Sequence, residues 1–204
     1  MYLSKFKLYL FPENTNESVD QNKLISLLKD IQFINKEDKS EENIDETAKE
    51  KKEEASKSPH SRFLTGNNFL SHLCFLGCSP DVEFQPDGDK PYIYVEVPQP
   101  THTPQFTSGI NIKIPKCPQC KKVLSTLPAT LKKGVAQAEC PHCQTTLEIN
   151  KLNWRKTACF SSTSIIINNI YESEAVPDDL LLDALKQATD CTWKYSYIRF
   201  DEPV

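Results

Sequence analysis

Four cysteines stand in two pairs, Cys117-Pro118-Gln119-Cys120 and Cys140-Pro141-His142-Cys143, with nineteen residues between the pairs. Two residues between thiols allow a tight turn to aim both sulfurs at one point, and two such turns supply four ligands to a single ion. Soft thiolates in a tetrahedral set are what zinc favours, so the spacing predicts one structural Zn2+ on Cys117, Cys120, Cys140 and Cys143. Four thiolates also close the coordination sphere, whereas a catalytic zinc keeps one position for water, so hydrolysis at this ion is not expected. His142 lies between two ligands, where a side chain points away from the ion. A small domain with little core draws its folding energy from such a metal, which makes scaffolding the expected role.

The paired Cys-Pro-x-Cys knuckles, and the β-prone run Thr145-Thr146-Leu147-Glu148-Ile149 after the second, resemble a zinc ribbon over residues 110–154. The resemblance implies a structural class that serves many functions and names none of them. Rubredoxins have similar knuckles with glycine directly after the second cysteine of each. Here Lys121 and Gln144 stand in those places, which favours zinc over iron.

Charge is unevenly spread around these cysteines. Residues 110–156 carry nine basic side chains (Lys113, Lys116, Lys121, Lys122, Lys132, Lys133, Lys151, Arg155 and Lys156) against Glu139 and Glu148, a net of +7. The whole chain is at −4, which leaves −11 for the remainder. Four thiolates and one Zn2+ together contribute about −2, so the loaded segment stays basic on an acidic body. Such asymmetry suits a patch that meets phosphates or an acidic protein surface. Lys116, Lys121, Lys122, Lys132, Lys133, Arg155 and Lys156 are its candidate contacts. Trp154 offers either an aromatic plane for an unpaired base or a hydrophobic anchor between this segment and the body.

The rest of the chain must position this segment. Phe6, Leu8 and Leu10 alternate as a strand with one buried face, and Leu24, Leu27, Leu28 and Ile31 form a helical stripe behind the cap Asp20. Residues 36–57 mix Glu, Lys, Asp and Ser with hardly any apolar side chain, which predicts a charged, disordered linker. Phe69, Leu70, Leu73 and Leu76 suggest a helix over 65–77, ended by Gly77. Ile93, Val95 and Val97 alternate as a strand, and Ile165-Ile166-Ile167 suits a strand buried on both sides. Pro177 fits the first turn of a further helix whose inward stripe is Leu181, Ala184, Leu185 and Ala188, and 193–200 closes the chain as an aromatic strand. The sum is an α+β fold, a small split βαβ (ferredoxin-like) sandwich with an inserted four-cysteine zinc ribbon. Its expected parts are a β-α unit at 1–35, the linker at 36–60, a helix and strand at 61–109, the ribbon at 110–156 and a β-α-β unit at 157–204.

The remaining features narrow the function classes. No run approaches the roughly 18 apolar residues of a membrane span, and the N-terminus lacks a signal-peptide core, so a cytoplasmic setting is expected. Reducing surroundings agree with cysteines spaced for metal instead of disulfides. Cys74, Cys78, Cys159 and Cys191 lack such spacing and read as buried small hydrophobes. No phosphate-binding loop, dinucleotide fingerprint or serine elbow occurs. The expected function is therefore non-catalytic binding of nucleic acid or an acidic protein. The alternatives are a structural part of an assembly, and an enzyme whose site lies near His72, Cys74 and Cys78.

Overall fold

The computed structural model describes residues 5–14, 18–38, 60–77, 83–88, 90–131 and 135–201. In chain order the elements are β1 (Phe6–Pro12), α1 (Gln21–Asp30), β2 (Ile34–Glu37), β3 (His60–Thr65), β4 (Leu73–Phe75), β5 (Tyr94–Pro98) and β6 (Gln105–Ser108). There follow a single turn α2 (Leu127–Thr130), β7 (Gln137–Glu139), β8 (Thr146–Glu148), β9 (Ala158–Ser161), β10 (Ile165–Asn168), β11 (Ala175–Pro177), α3 (Asp179–Thr189) and β12 (Trp193–Arg199). Among the described residues no helix is long and apolar enough to cross a membrane.

The main sheet has six strands in the order β12-β1-β10-β5-β3-β2, with every neighbouring pair antiparallel. The first four are the expected split βαβ arrangement: α1 lies between β1 and β5 along the chain, and α3 between β10 and β12. The fold is α+β, as the alternation of strand and helix patterns predicts.

The patterns read for β1, α1 and α3 have structural counterparts. Asp20 caps α1 by accepting from the Lys23 amide at 2.9 Å, and Asp178 caps α3 by accepting from Leu181 N at 2.9 Å. Leu24 and Leu28 of α1, with Leu181 and Leu185 of α3, cover one sheet face made by Leu8, Leu10, Val95, Val97, Ile165 and Ile167. Each such buried side chain contributes roughly 1.5–3 kcal/mol. The opposite face of β1 is buried as well, because Tyr9 and Phe11 pack with Cys159, Ile166 and Ile198. β1 is therefore a central strand closed on both sides, where its alternation suggested burial on one.

Three expectations are corrected. Residues 65–77 form no α-helix: a 3-10 turn at Phe69–Ser71 leads into β4, which pairs with β11. Phe69 and Leu73 are buried as the stripe required, but Leu70 and Leu76 are exposed. A short apolar run fits either period, and here pairing with β11 decides. Gly66 sets up this turn by lying so close to α1's exit that a Cβ would sit 2.1 Å from the Gln32 carbonyl oxygen. Pro177 belongs to β11 and precedes the cap of α3 instead of lying in its first turn. Lys36 and Glu37, placed in the linker, belong to β2. Asp38 beyond them pairs with Arg62 Nε at 2.7 Å. The remaining linker residues before His60 lie outside the described residues, as does Cys78.

A second apolar cluster lies apart from the first. Leu124, Leu127, Leu147, Ile149, Leu152 and Trp154 gather with Ala158 and Phe160 around the buried Cys117 and Cys140. Its chain leaves the body along β6 and returns along β9, and these two strands pair with each other.

Candidate metal centre

Both cysteine pairs sit in turns of one design. In the first, the Cys117 amide donates to Lys122 O at 2.9 Å and the Lys121 amide to Cys117 O at 3.0 Å. In the second, the Cys140 amide donates to Thr145 O at 2.9 Å and the Gln144 amide to Cys140 O at 2.9 Å. An antiparallel rung closes each turn, Lys116 with Val123 and Glu139 with Thr146. The hairpin β7–β8 carries the second turn, and Leu147 on it is buried in the apolar cluster below the sulfurs.

These turns bring the four sulfurs to within 4.8 Å of one another. Cys117 Sγ lies 3.7 Å from Cys143 Sγ, and Cys120 Sγ lies 3.8 Å from Cys140 Sγ. An ion bonded to four sulfurs at about 2.3 Å would set each pair about 3.8 Å apart at the corners of a tetrahedron. The donor set and its spacing therefore fit a metal ion, with each close contact joining one turn to the other. Cys117 and Cys140 are buried, while Cys120 and Cys143 are half-buried.

Without an ion the thiols do not share one response: Cys117 and Cys143 are held towards the ionised form that a metal requires. Cys120, its bond from the Lys122 amide outweighed by burial and by the neighbouring sulfurs of Cys143, Cys117 and Cys140, is pushed up to about 11. Backbone N–H groups of Cys120 and Gln119 lower the Cys117 thiol below its ordinary range. Thr145, through its hydroxyl and its amide, holds the Cys143 thiol down to about 6. Hydrogen bonds of this kind orient the ligands as well as charging them. His142 is exposed and stands outside the sulfur cluster.

The basic side chains divide into two places. Lys116, Lys121 and Lys122 are exposed on the first cysteine turn. Arg155 and Lys156 form a separate turn, both with positive φ (52° and 59°), closed by the Thr157 amide donating to Trp154 O at 3.1 Å. The Tyr197 amide donates to Lys156 O at 2.8 Å, which ties this turn to β12. Lys132 and Lys133 lie outside the described residues.

Trp154 takes the packing alternative. It is 6% exposed, its Nε1 donates to Ile149 O at 2.9 Å, and its ring meets Phe106 of β6 at 5.0 Å. Its face is not open to a base.

Two cations that bear on the same region were not among the candidate contacts. Lys151 and Lys194 line a cavity of about 320 Å3 beside Arg155 and Lys156. Lys194 lies on β12, far along the chain, and only strand pairing brings it there. The groups near the expected alternative site are not assembled in this way: His72 Nδ1 lies 3.7 Å from Asp178 Oδ1, and Cys74, expected as a buried small hydrophobe like Cys159 and Cys191, is instead exposed, because it falls on the outward side of the short strand β4. No protein-family model, curated protein or solved structure matches this chain.

Proposed function

We propose that Cys117, Cys120, Cys140 and Cys143 hold zinc in a zinc ribbon inserted at residues 110–156, and that this non-catalytic ribbon contacts nucleic acid. The observation that carries the zinc reading is the pair of cross-turn sulfur distances, 3.7 and 3.8 Å, which match the edges of a thiolate tetrahedron. Zinc is the ion that closed four-cysteine sites hold as scaffolds, and it needs no redox partner. A closed sphere leaves no site for substrate water, which favours a binding role over hydrolysis.

The partner reading draws support from charge. Lys116, Lys121 and Lys122 are exposed together beside the metal, on a segment of net +7 within a chain of net −4. Phosphate contacts release counterions, so binding to nucleic acid must weaken steeply with salt. The reducing interior of a cell, the cytoplasm, is the setting that keeps such thiols available to metal.

Elemental analysis of protein purified under reducing conditions tests the first half, with one zinc per chain expected; iron in its place would show as thiolate charge-transfer colour. Titration with single-stranded and duplex oligonucleotides at several salt concentrations tests the second half. Affinity that falls with salt and is lost in the triple variant Lys116→Glu, Lys121→Glu, Lys122→Glu supports the reading. An absence of binding at low salt overturns it, and capture of a single acidic protein by the same lysines assigns the face to that partner instead. Aggregation of the isolated chain, relieved by a co-purified protein, assigns it to a fixed assembly.

A further inference from the structure

The cavity between the proposed ribbon and the body carries more chemistry than its packing requires. Four cations line it, Lys151, Arg155, Lys156 and Lys194, together with one carboxylate, Glu13. Two of these cations already have partners: Lys194 Nζ meets Glu13 at 2.5 Å and Lys151 Nζ meets Glu148 at 2.8 Å. Lys156 Nζ is held over the Tyr195 ring, 3.9 Å from its centroid, and donates to the Tyr195 hydroxyl. The Arg155 guanidinium has no ion-pair or hydrogen-bond partner among the described residues. Counting both carboxylates, the wall keeps two positive charges in excess.

Nothing in the folding of this region calls for that excess. Arg155 and Lys156 adopt left-handed backbone (φ 52° and 59°), a conformation costly for residues with a Cβ. The Asn153 side chain steadies the turn by accepting from the Arg155 amide at 3.0 Å. The pair lines the concave site together with Lys151 and Lys194, which joins the forked donor of arginine to point charges of the kind that hold phosphate oxygens.

We propose that this cavity binds phosphate, with Arg155 as its principal ligand and Lys151, Lys156 and Lys194 completing the field. Two surplus charges match either one phosphate monoester dianion or two successive phosphodiesters, so a free nucleotide and a strand of nucleic acid share the required chemistry. The second source rests on the nucleic-acid reading above, and the first does not.

The test uses the full zinc-loaded chain. Adenosine monophosphate and a single-stranded oligonucleotide lacking a terminal phosphate are titrated separately by calorimetry. The key variant is Arg155→Gly, which removes the guanidinium while permitting positive φ; Lys194→Gln is the second, because it changes an exposed side chain of a strand. Unchanged zinc content and thermal midpoint show that both variants fold. The expected result is about a tenfold or greater loss of affinity in each variant for at least one of the two ligands. If the monophosphate depends on Arg155 and the oligonucleotide does not bind, the cavity is a nucleotide site and the nucleic-acid reading fails alone. If the oligonucleotide binds through Lys116, Lys121 and Lys122 but is indifferent to Arg155 and Lys194, and the monophosphate does not bind, the cavity proposal falls and the ribbon reading stands. Loss of oligonucleotide affinity in Arg155→Gly identifies the phosphodiester source. Failure of both ligands to bind at millimolar concentration overturns the proposal outright.

Discussion

Lys121 and Gln144 occupy equivalent places in the two cysteine turns, with φ of 62° and 61°, each donating its amide to the first cysteine of its own turn. Left-handed backbone at this point lets the chain double back so that both sulfurs of a turn face the same ion. Glycine would adopt it freely, and its absence does not prevent it here. The turns thus reach the same backbone conformation with Lys121 and Gln144 as glycine would give at these places.

Replacing Gln144 by glycine should stabilise the metal-loaded protein slightly. Relief of left-handed strain is worth about 1 kcal/mol, offset by the greater freedom of glycine in the unfolded chain, for a net of about 0.5 kcal/mol. Urea denaturation with zinc present reads this directly, and a lower midpoint for Gln144→Gly would count against the strain. Lys121→Gly is less clean, because the Lys121 side chain also donates to Pro118 O at 2.6 Å.

Removing the ion should loosen the second apolar cluster and spare the first. Trp154 then loses its buried setting and its bond to Ile149 O, so tryptophan emission shifts to the red when a strong chelator is added or in Cys117→Ser, Cys140→Ser. Trp193 lies in the other cluster, so a Trp193→Phe background isolates the signal. Far-ultraviolet circular dichroism should retain the contribution of α1 and α3. Collapse of all helical signal on chelation would show that the two clusters fold as one.

Alkaline pH should destabilise the fold. Burial pushes the Cys159 thiol up to about 12, and burial likewise raises the Tyr9 and Tyr197 hydroxyls above their ordinary range. These groups stay protonated in the folded chain but ionise in the unfolded chain, near pH 8.5 for cysteine and 10 for tyrosine. Their contribution is thus complete below about pH 8.5 and declines as pH rises towards the folded values. Denaturation midpoints measured from pH 7 to 11 should fall, and the fall should be shallower in Cys159→Ala. A flat profile would contradict the burial of these hydroxyls and this thiol.

Thiol labelling should sort the cysteines by environment. Cys74 is exposed and should be alkylated at once, whereas Cys159 and Cys191 are buried and should wait for unfolding. The four metal ligands should become reactive together when zinc is removed. Peptide mapping after brief alkylation distinguishes the three classes; rapid labelling of Cys191 in the loaded protein would break the assignment.

The elements read correctly from sequence are those whose period and caps agree. Asp20 caps α1 as expected and the leucine stripes of α1 and α3 face the sheet, although α3 starts later than Pro177 suggested, behind Asp178. Ile165-Ile166-Ile167 is buried on both sides because Ile165 and Ile167 lie under the helices and Ile166 lies in the cluster on the opposite face. The segment from Thr65 to Gly77 misled because leucines at helical spacing also suit a turn followed by a short strand, and the deciding partner, β11, lies a hundred residues downstream. The gathering of Cys117, Cys120, Cys140 and Cys143 was legible from local spacing alone. The cavity beside it was not, since Glu13, Lys151 and Lys194 meet only after β1 and β12 have paired.

The rungs by which the chain departs and comes home are immediate neighbours: Ser108 on β6 stands opposite Ala158 on β9. An excursion that starts and finishes at one doorway imposes no offset on what surrounds it. A hairpin turn of about two residues could join Ser108 to Ala158 with the register of every other strand intact. What such a threshold does not spare is the last strand, because Ile110, Asn111 and Lys156 of the excursion all bond to the backbone of β12, and a shortened chain would leave those groups to water.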